Sequence, residues 1–142
     1  KRNWENLKLK EGKSSVLEGV PKSLPALVKA SRIQDKVSGV GFDWEEPQQV
    51  FEKLKEELEE LQHEVTEDNQ DLIEAEFGDV LFSMINYARF LKVNPENALE
   101  RTNKKFIKRF QYLEQKAKQQ GKALADMTLT EMDVYWNEAK IL

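Results

Sequence analysis

The sequence predicts an all-α fold, a helical bundle of four to five helices. Three observations predict it. Glycine and proline are scarce, six and four in 142 residues. No long alternation of apolar and polar residues is present, as a half-buried strand would need. Apolar residues instead recur at steps of three and four. The length suits one domain with a sizeable core. The net charge of -4 gives no encouragement to nucleic-acid or anionic-membrane partners. With no cysteine, disulfides and thiolate metal sites are excluded, which fits a cytoplasmic protein. No stretch approaches the length of a membrane span. The chain opens on Lys1 and reads as a fragment or processed product, with a further domain expected before it.

Residues 1–22 read as a lead-in with a short helix over 3–10 anchored by Trp4, and residues 23–142 as the helical domain. Ser23 is placed to cap the first main helix, with Pro25 in its first turn. Leu27, Ala30, Ile33, Val37 and Val40 are its apolar positions, and Gly39 and Gly41 end it. Pro47 opens the second helix, whose stripe is Val50, Leu54, Leu58, Leu61 and Val65. Asp68 to Asp71 read as a turn. The third helix, about Leu72 to Leu91, is apolar on most sides and belongs in the middle of a bundle. Asn94-Pro95 starts a fourth helix with core face Leu99, Phe106, Phe110 and Leu113, closed by Gly121. Thr128 with Glu131, or Thr130 alone, caps a last helix carrying Met132, Tyr135 and Trp136.

Two acidic clusters stand out: Glu56-Glu57-Leu58-Glu59-Glu60 and Glu76-Phe77-Gly78-Asp79. At about 100° per residue, Glu57, Glu60 and Glu64 fall on one edge of the second helix's stripe, beside Lys53. Glu76, Asp79, Ser83 and Asn86 form a similar edge on the third helix. Alone, the first cluster reads as a solvated face. Together, on helices packed antiparallel, the two edges face one cleft, and carboxylates aimed at one point repel unless a cation lies between them. All-oxygen ligation suits magnesium or manganese, and so phosphate chemistry. The single histidine, His63, points away from the stripe and reads as a surface residue. Lys105 and Arg109 share one edge of the fourth helix, where a phosphate chain would relieve their repulsion; on spacing alone they read rather as solvated cations of the basic run Lys104 to Arg109. Trp136 and Lys140 lie four apart on the last helix, where they could stack a base beside a phosphate; on spacing alone they read rather as a packing tryptophan and a solvated lysine.

These residues resemble the MazG family of the all-α nucleoside triphosphate pyrophosphatases. The pattern is two adjacent glutamates, a third glutamate three further on, a spacer, then Glu-x-x-Asp: Glu56, Glu57, Glu60, Glu76 and Asp79 here. The flanks strengthen it: Ser23-Leu24-Pro25-Ala26-Leu27, Val40-Gly41-Phe42-Asp43-Trp44, and Val80-Leu81-Phe82 with Asn86 and Ala88-Arg89. Asn103-Lys104-Lys105-Phe106, Arg109-Phe110, Trp136 and Lys140 complete the match. It covers the chain from about Pro21 and looks most like the second of two tandem MazG domains. The spacer after Glu60 is shorter than in some relatives. The resemblance implies Glu57, Glu60, Glu76 and Asp79 as magnesium ligands, with manganese a substitute. Glu56, Glu57 and Glu60 would serve catalysis, Glu56 as a second-metal or water-orienting group. Lys105, Arg109, Trp136, Lys140 and Asn86 would hold the substrate, a nucleoside triphosphate cleaved to monophosphate and pyrophosphate. It also implies a homodimer forming a larger bundle. Base-specific relatives acting on dUTP, dCTP or phosphoribosyl-ATP stay open as alternatives, as does a nucleotide- or metal-binding module without turnover.

Overall fold

The computed structural model describes residues 14–142. The expected short helix at 3–10, with Trp4, lies outside the described residues. Five α-helices and no strand occur among the described residues: α1 (Ala26–Ser38), α2 (Pro47–Glu67), α3 (Gln70–Phe90), α4 (Pro95–Gln119) and α5 (Leu129–Lys140), with a 3-10 turn over Leu124–Asp126 before the last. The all-α expectation holds. The chain divides into two compact units, one ending at Glu96 and one running from Asn97 to Leu142.

In the first unit, α1 starts later than Ser23 predicted. Pro25 is its N-cap, with φ -55 and ψ 145, and makes no side-chain cap bond. The ring fixes φ, and the residue before it is pushed away from helical geometry, so the helix begins only at Ala26. It ends at Ser38, so Val40 lies outside it. Pro47 opens α2 as expected. The Gln49 side-chain oxygen accepts from the backbone N–H groups of Glu45 and Glu46 and ties the entry down.

The turn expected over Asp68 to Asp71 is only two residues long. Asp68 closes α2 in the left-handed region at φ 57. Asn69 caps α3, its side chain accepting from Leu72 N at 3.2 Å. Gln70 and Asp71 are already helical. So short a connection between two 21-residue helices folds them back as an antiparallel pair.

The core of this unit is Ala30, Val50, Leu54 and Ile85, with the polar Gln34 and Ser83 among them. Two expectations are corrected here. The α2 stripe is buried only in its first half: Val50 is 1% exposed, but Leu58 and Val65 are open. Likewise α3 is not enclosed. Leu72, Phe77, Leu81, Phe82 and Met84 are all exposed, because α1 and α2 are the helices of this unit that pack against α3, and they cover one side of it.

The loop between α1 and α2 is pinned to α3 by charge. Arg89 donates two bonds to Asp43, at 2.6 and 3.0 Å, and two to Asn86 Oδ1, at 2.9 and 3.1 Å. Ser38 Oγ and the Trp44 N–H also donate to Asp43. Burial pushes the Asp43 carboxyl up, but Arg89 and Ser38 outweigh it and hold the carboxyl below the usual value.

In the second unit, Leu113 and Ala117 of α4 are buried, with Met127 and Ala139. Leu99 and Phe106, expected in the core, are more than half exposed. Gly121 stands at φ 65 after α4, where the Lys122 N–H reaches back to Ala117 O, a left-handed exit that glycine accepts without strain. Thr128 rather than Thr130 caps α5: Glu131 N donates to Thr128 Oγ1, and Thr128 N donates to Glu131 Oε1, each at 3.1 Å.

The loop pin is open to test. Asp43→Ala leaves the half-buried Arg89 without its carboxylate and should lower unfolding free energy by about 1.5–3 kcal/mol. Urea denaturation measures it. A parent-like midpoint would mean that the loop is held by its side-chain packing alone.

Candidate active site

The αα-hairpin sets the register of the acidic residues. Glu57 stands eleven residues before Asp68 and Asp79 eleven after it; Glu60 and Glu76 stand eight before and eight after. Paired helices folded at that turn therefore carry both clusters to one level. Glu57, Glu76 and Asp79 each place a carboxylate oxygen so that all three lie within 4.8 Å of one another. Glu57 is 6% exposed, Glu76 half-buried and Asp79 exposed.

Three carboxylates so close repel, and one cation of the chain answers part of that. Lys53 Nζ lies 2.9 Å from Glu57 Oε1 and 4.0 Å from Glu56. Its bond to Glu57 holds the Lys53 ammonium above its usual value, against the effect of burial. Two of the other oxygens are not answered. Glu57 Oε2 and Glu76 Oε2 are buried with no hydrogen-bond donor. An unsatisfied buried acceptor costs about 1–3 kcal/mol, and more when charged. The Glu76 carboxyl is pushed up by burial first, then by the charges of Glu60, Asp79 and Glu57, and by a side-chain hydrogen bond with Glu60.

This donor set fits a hard divalent cation, being all oxygen, with two buried oxygens that lack a donor. Three of the four expected ligands meet in the triad. Glu60 stands beside Glu76 and is itself exposed. Glu56, Glu60 and Glu76 line a groove of about 350 Å³ with His63 and Glu64. His63 is exposed there, as expected of a surface residue.

The second unit carries the cationic residues. Lys105, Arg109 and Lys140 line one groove of about 370 Å³. Lys108, which sequence spacing did not single out, joins them, with Tyr112 on the wall. Tyr112 donates to Glu138 Oε1 at 2.6 Å, and that bond raises its hydroxyl's pKa. Trp136 is not part of that groove. Its ring packs 4.9 Å from Phe106 at a 54° tilt, and it is half-buried. Asn86, in the first unit, has its Oδ1 engaged by Arg89, which leaves its amino group to donate.

Gln34 is the polar residue that sequence reasoning missed. It is 3% exposed. Its Nε2 donates to Phe82 O at 2.9 Å, and its Oε1 is buried without a partner. No sequence signal marks it, since it sits between the apolar positions Ile33 and Val37 with no polar periodicity.

Comparison with known proteins gives the chain's relatives. Residues 45–113 match the model of the MazG nucleotide pyrophosphohydrolase domain. Over 98% of its length the chain is 42% identical to the nucleoside triphosphate pyrophosphohydrolase/pyrophosphatase MazG of Thermotoga maritima, covering 54% of that protein. Over 97% of its length it is 51% identical to the uncharacterized protein YabN of Bacillus subtilis, covering 29% of it. It is 36% identical to the nucleoside triphosphate pyrophosphohydrolase of Escherichia coli K12, again covering 54%. The chain thus spans about half the length, or less, of the curated relatives it matches. No helix of the described residues is long and apolar enough to cross a membrane.

The triad's repulsion has a pH signature. A carboxyl with a raised folded-state pKa destabilises the fold once ionised. That penalty is complete above the raised value and absent below the ordinary one. Glu76→Gln should therefore melt above the metal-free parent at neutral pH, and the gap should close as pH falls through the carboxylate range. Magnesium should raise the parent's melting temperature more than the variant's. Thermal melts in EDTA and in magnesium decide it; a gap that ignores pH would remove the assigned repulsion.

Proposed function

Through residues 45–113 the chain belongs to the MazG nucleotide pyrophosphohydrolase family, and on that premise we propose that it hydrolyses nucleoside triphosphates to the monophosphate and pyrophosphate with magnesium. One observation carries the proposal: Glu57, Glu76 and Asp79 within 4.8 Å, on a hairpin that leaves two buried carboxylate oxygens without donors. The names of the Thermotoga and Escherichia coli relatives support it.

Glu57, Glu60, Glu76 and Asp79 would hold the cation, magnesium or in its place manganese. When bound, a divalent cation supplies neutralisation of the triphosphate and activation of water. Glu56, exposed at the rim of the acidic groove, is suited to orient the attacking water and take its proton. Lys105, Arg109 and Lys140 would bind phosphate oxygens and stabilise the charge on departing pyrophosphate. Trp136 would offer a surface to the nucleoside, and Asn86 a donor. More than one base is accepted. The active form is a homodimer in the cytoplasm, in which a second copy covers the exposed Phe77, Leu81 and Met84 of α3.

Pyrophosphate release from a panel of nucleoside triphosphates, with magnesium and with EDTA, tests the reaction. Turnover with magnesium and none with EDTA is expected. Binding without turnover would make the domain a regulatory module, and turnover of one base alone a specific pyrophosphohydrolase. Lys105→Ala, Arg109→Ala and Lys140→Ala should each cost about one to two orders of magnitude in kcat/KM, the loss of one charge-assisted contact. Parent-like kinetics in all three would move the phosphates elsewhere. Light scattering should return about twice the 16.6 kDa chain mass; an active monomer would contradict the interface.

A further inference from the structure

The second unit gathers cations that the protein itself does not answer. Lys105, Lys108 and Arg109 stand within about one turn of α4. Lys140 of α5 lines the same groove of about 370 Å³. Spacings of three and four put Lys108 on the face that Lys105 and Arg109 share, with Tyr112 one turn further on. Like charges so spaced repel. Among the described residues none of these four cations makes an ion pair or a hydrogen bond. No described Asp or Glu is a wall of the groove, and its polar walls Gln111 and Gln115 are neutral. The Glu138 carboxylate, two residues before Lys140, is bound elsewhere: its Oε1 accepts the Tyr112 hydroxyl at 2.6 Å.

Such a set selects by charge density. A single phosphate monoester carries about two negative charges near neutral pH. Two linked phosphoryl groups carry more, and they offer oxygens in two clusters. That suits cations arriving from two helices. Arginine grips one phosphoryl group through a planar fork, while lysines act as point charges that rotate to meet the other. Lys108 is exposed and uncommitted, so its ammonium is available to the groove.

We infer that Lys108 is a further phosphate-binding residue, and that with Lys105, Arg109 and Lys140 it seats a pyrophosphate unit without help from a metal. The inference rests on the proposed nucleotide chemistry and deepens it. The part of the substrate gripped in this unit is the pyrophosphate end, and the groove keeps its hold on that end after cleavage. Pyrophosphate is then the inhibitory product and the monophosphate is not.

Calorimetry in EDTA reads this groove apart from the acidic triad, which repels anions when no cation fills it. The parent should bind inorganic pyrophosphate, and orthophosphate far more weakly. Lys108→Gln removes the charge and should weaken pyrophosphate about tenfold, the loss of one charge-assisted contact. Lys108→Arg should restore the affinity. Lys118→Gln removes the same charge from an exposed residue of α4 that lines no part of the groove, and should bind as the parent does. Lys108 is exposed, so its variants spare the packing. In turnover, Lys108→Gln should raise the inhibition constant of pyrophosphate by the same factor. No pyrophosphate bound by the parent in EDTA, a parent-like affinity in Lys108→Gln, or an equal loss in Lys118→Gln would each overturn the inference. Failure of the reaction itself looks different: the same binding pattern in EDTA, with no pyrophosphate released by the parent from nucleoside triphosphates in magnesium.

Discussion

The first unit is built around a contradiction between packing and charge. Folding α2 back on α3 at Asp68 buries Val50, Leu54 and Ile85, and the same register brings Glu57, Glu76 and Asp79 together. The hydrophobic contact cannot be made without the electrostatic conflict. The site is therefore held by the rigidity of two long helices rather than by a loop, so its carboxylates cannot relax apart without losing core contacts. Lys53 answers one of them from within α2, one helical turn away. The two donor-less oxygens, Glu57 Oε2 and Glu76 Oε2, are what remains.

Distribution of charge between the units follows the same division of labour. Anionic groups meet in the first unit, and Lys105, Lys108, Arg109 and Lys140 meet around one groove of the second. Trp136, expected to accompany the cations, packs against Phe106.

Much of this was legible in the sequence, because it rests on local rules. Apolar spacing gave the helices, Pro47 and Thr128–Glu131 gave helix starts, and matched three-residue spacing gave the carboxylates. The failures are tertiary. Ser23 is a good cap by type, but Pro25 sets where α1 can start. Leu58 and Val65 continue the apolar stripe of α2 and yet stay open, since periodicity names a face without saying whether anything covers it. Gln34 was invisible because its burial depends on a backbone carbonyl 48 residues away. The Asp43–Arg89 bond spans 46 residues and has no spacing to betray it.

The ion pair between Lys53 and Glu57 also bears on the order of events when the chain is made. A small zinc module waits for its ion before it folds, because nothing else neutralises its ligands. Here the most buried carboxylate brings its own counter-charge, four residues before it on the same helix. A newly synthesised hairpin can thus close in a metal-poor moment, with the lysine keeping the seat. A cation held there as proposed would enter a finished frame and displace the lysine from Glu57. Loading would then be an exchange of one cation for another rather than an act of folding.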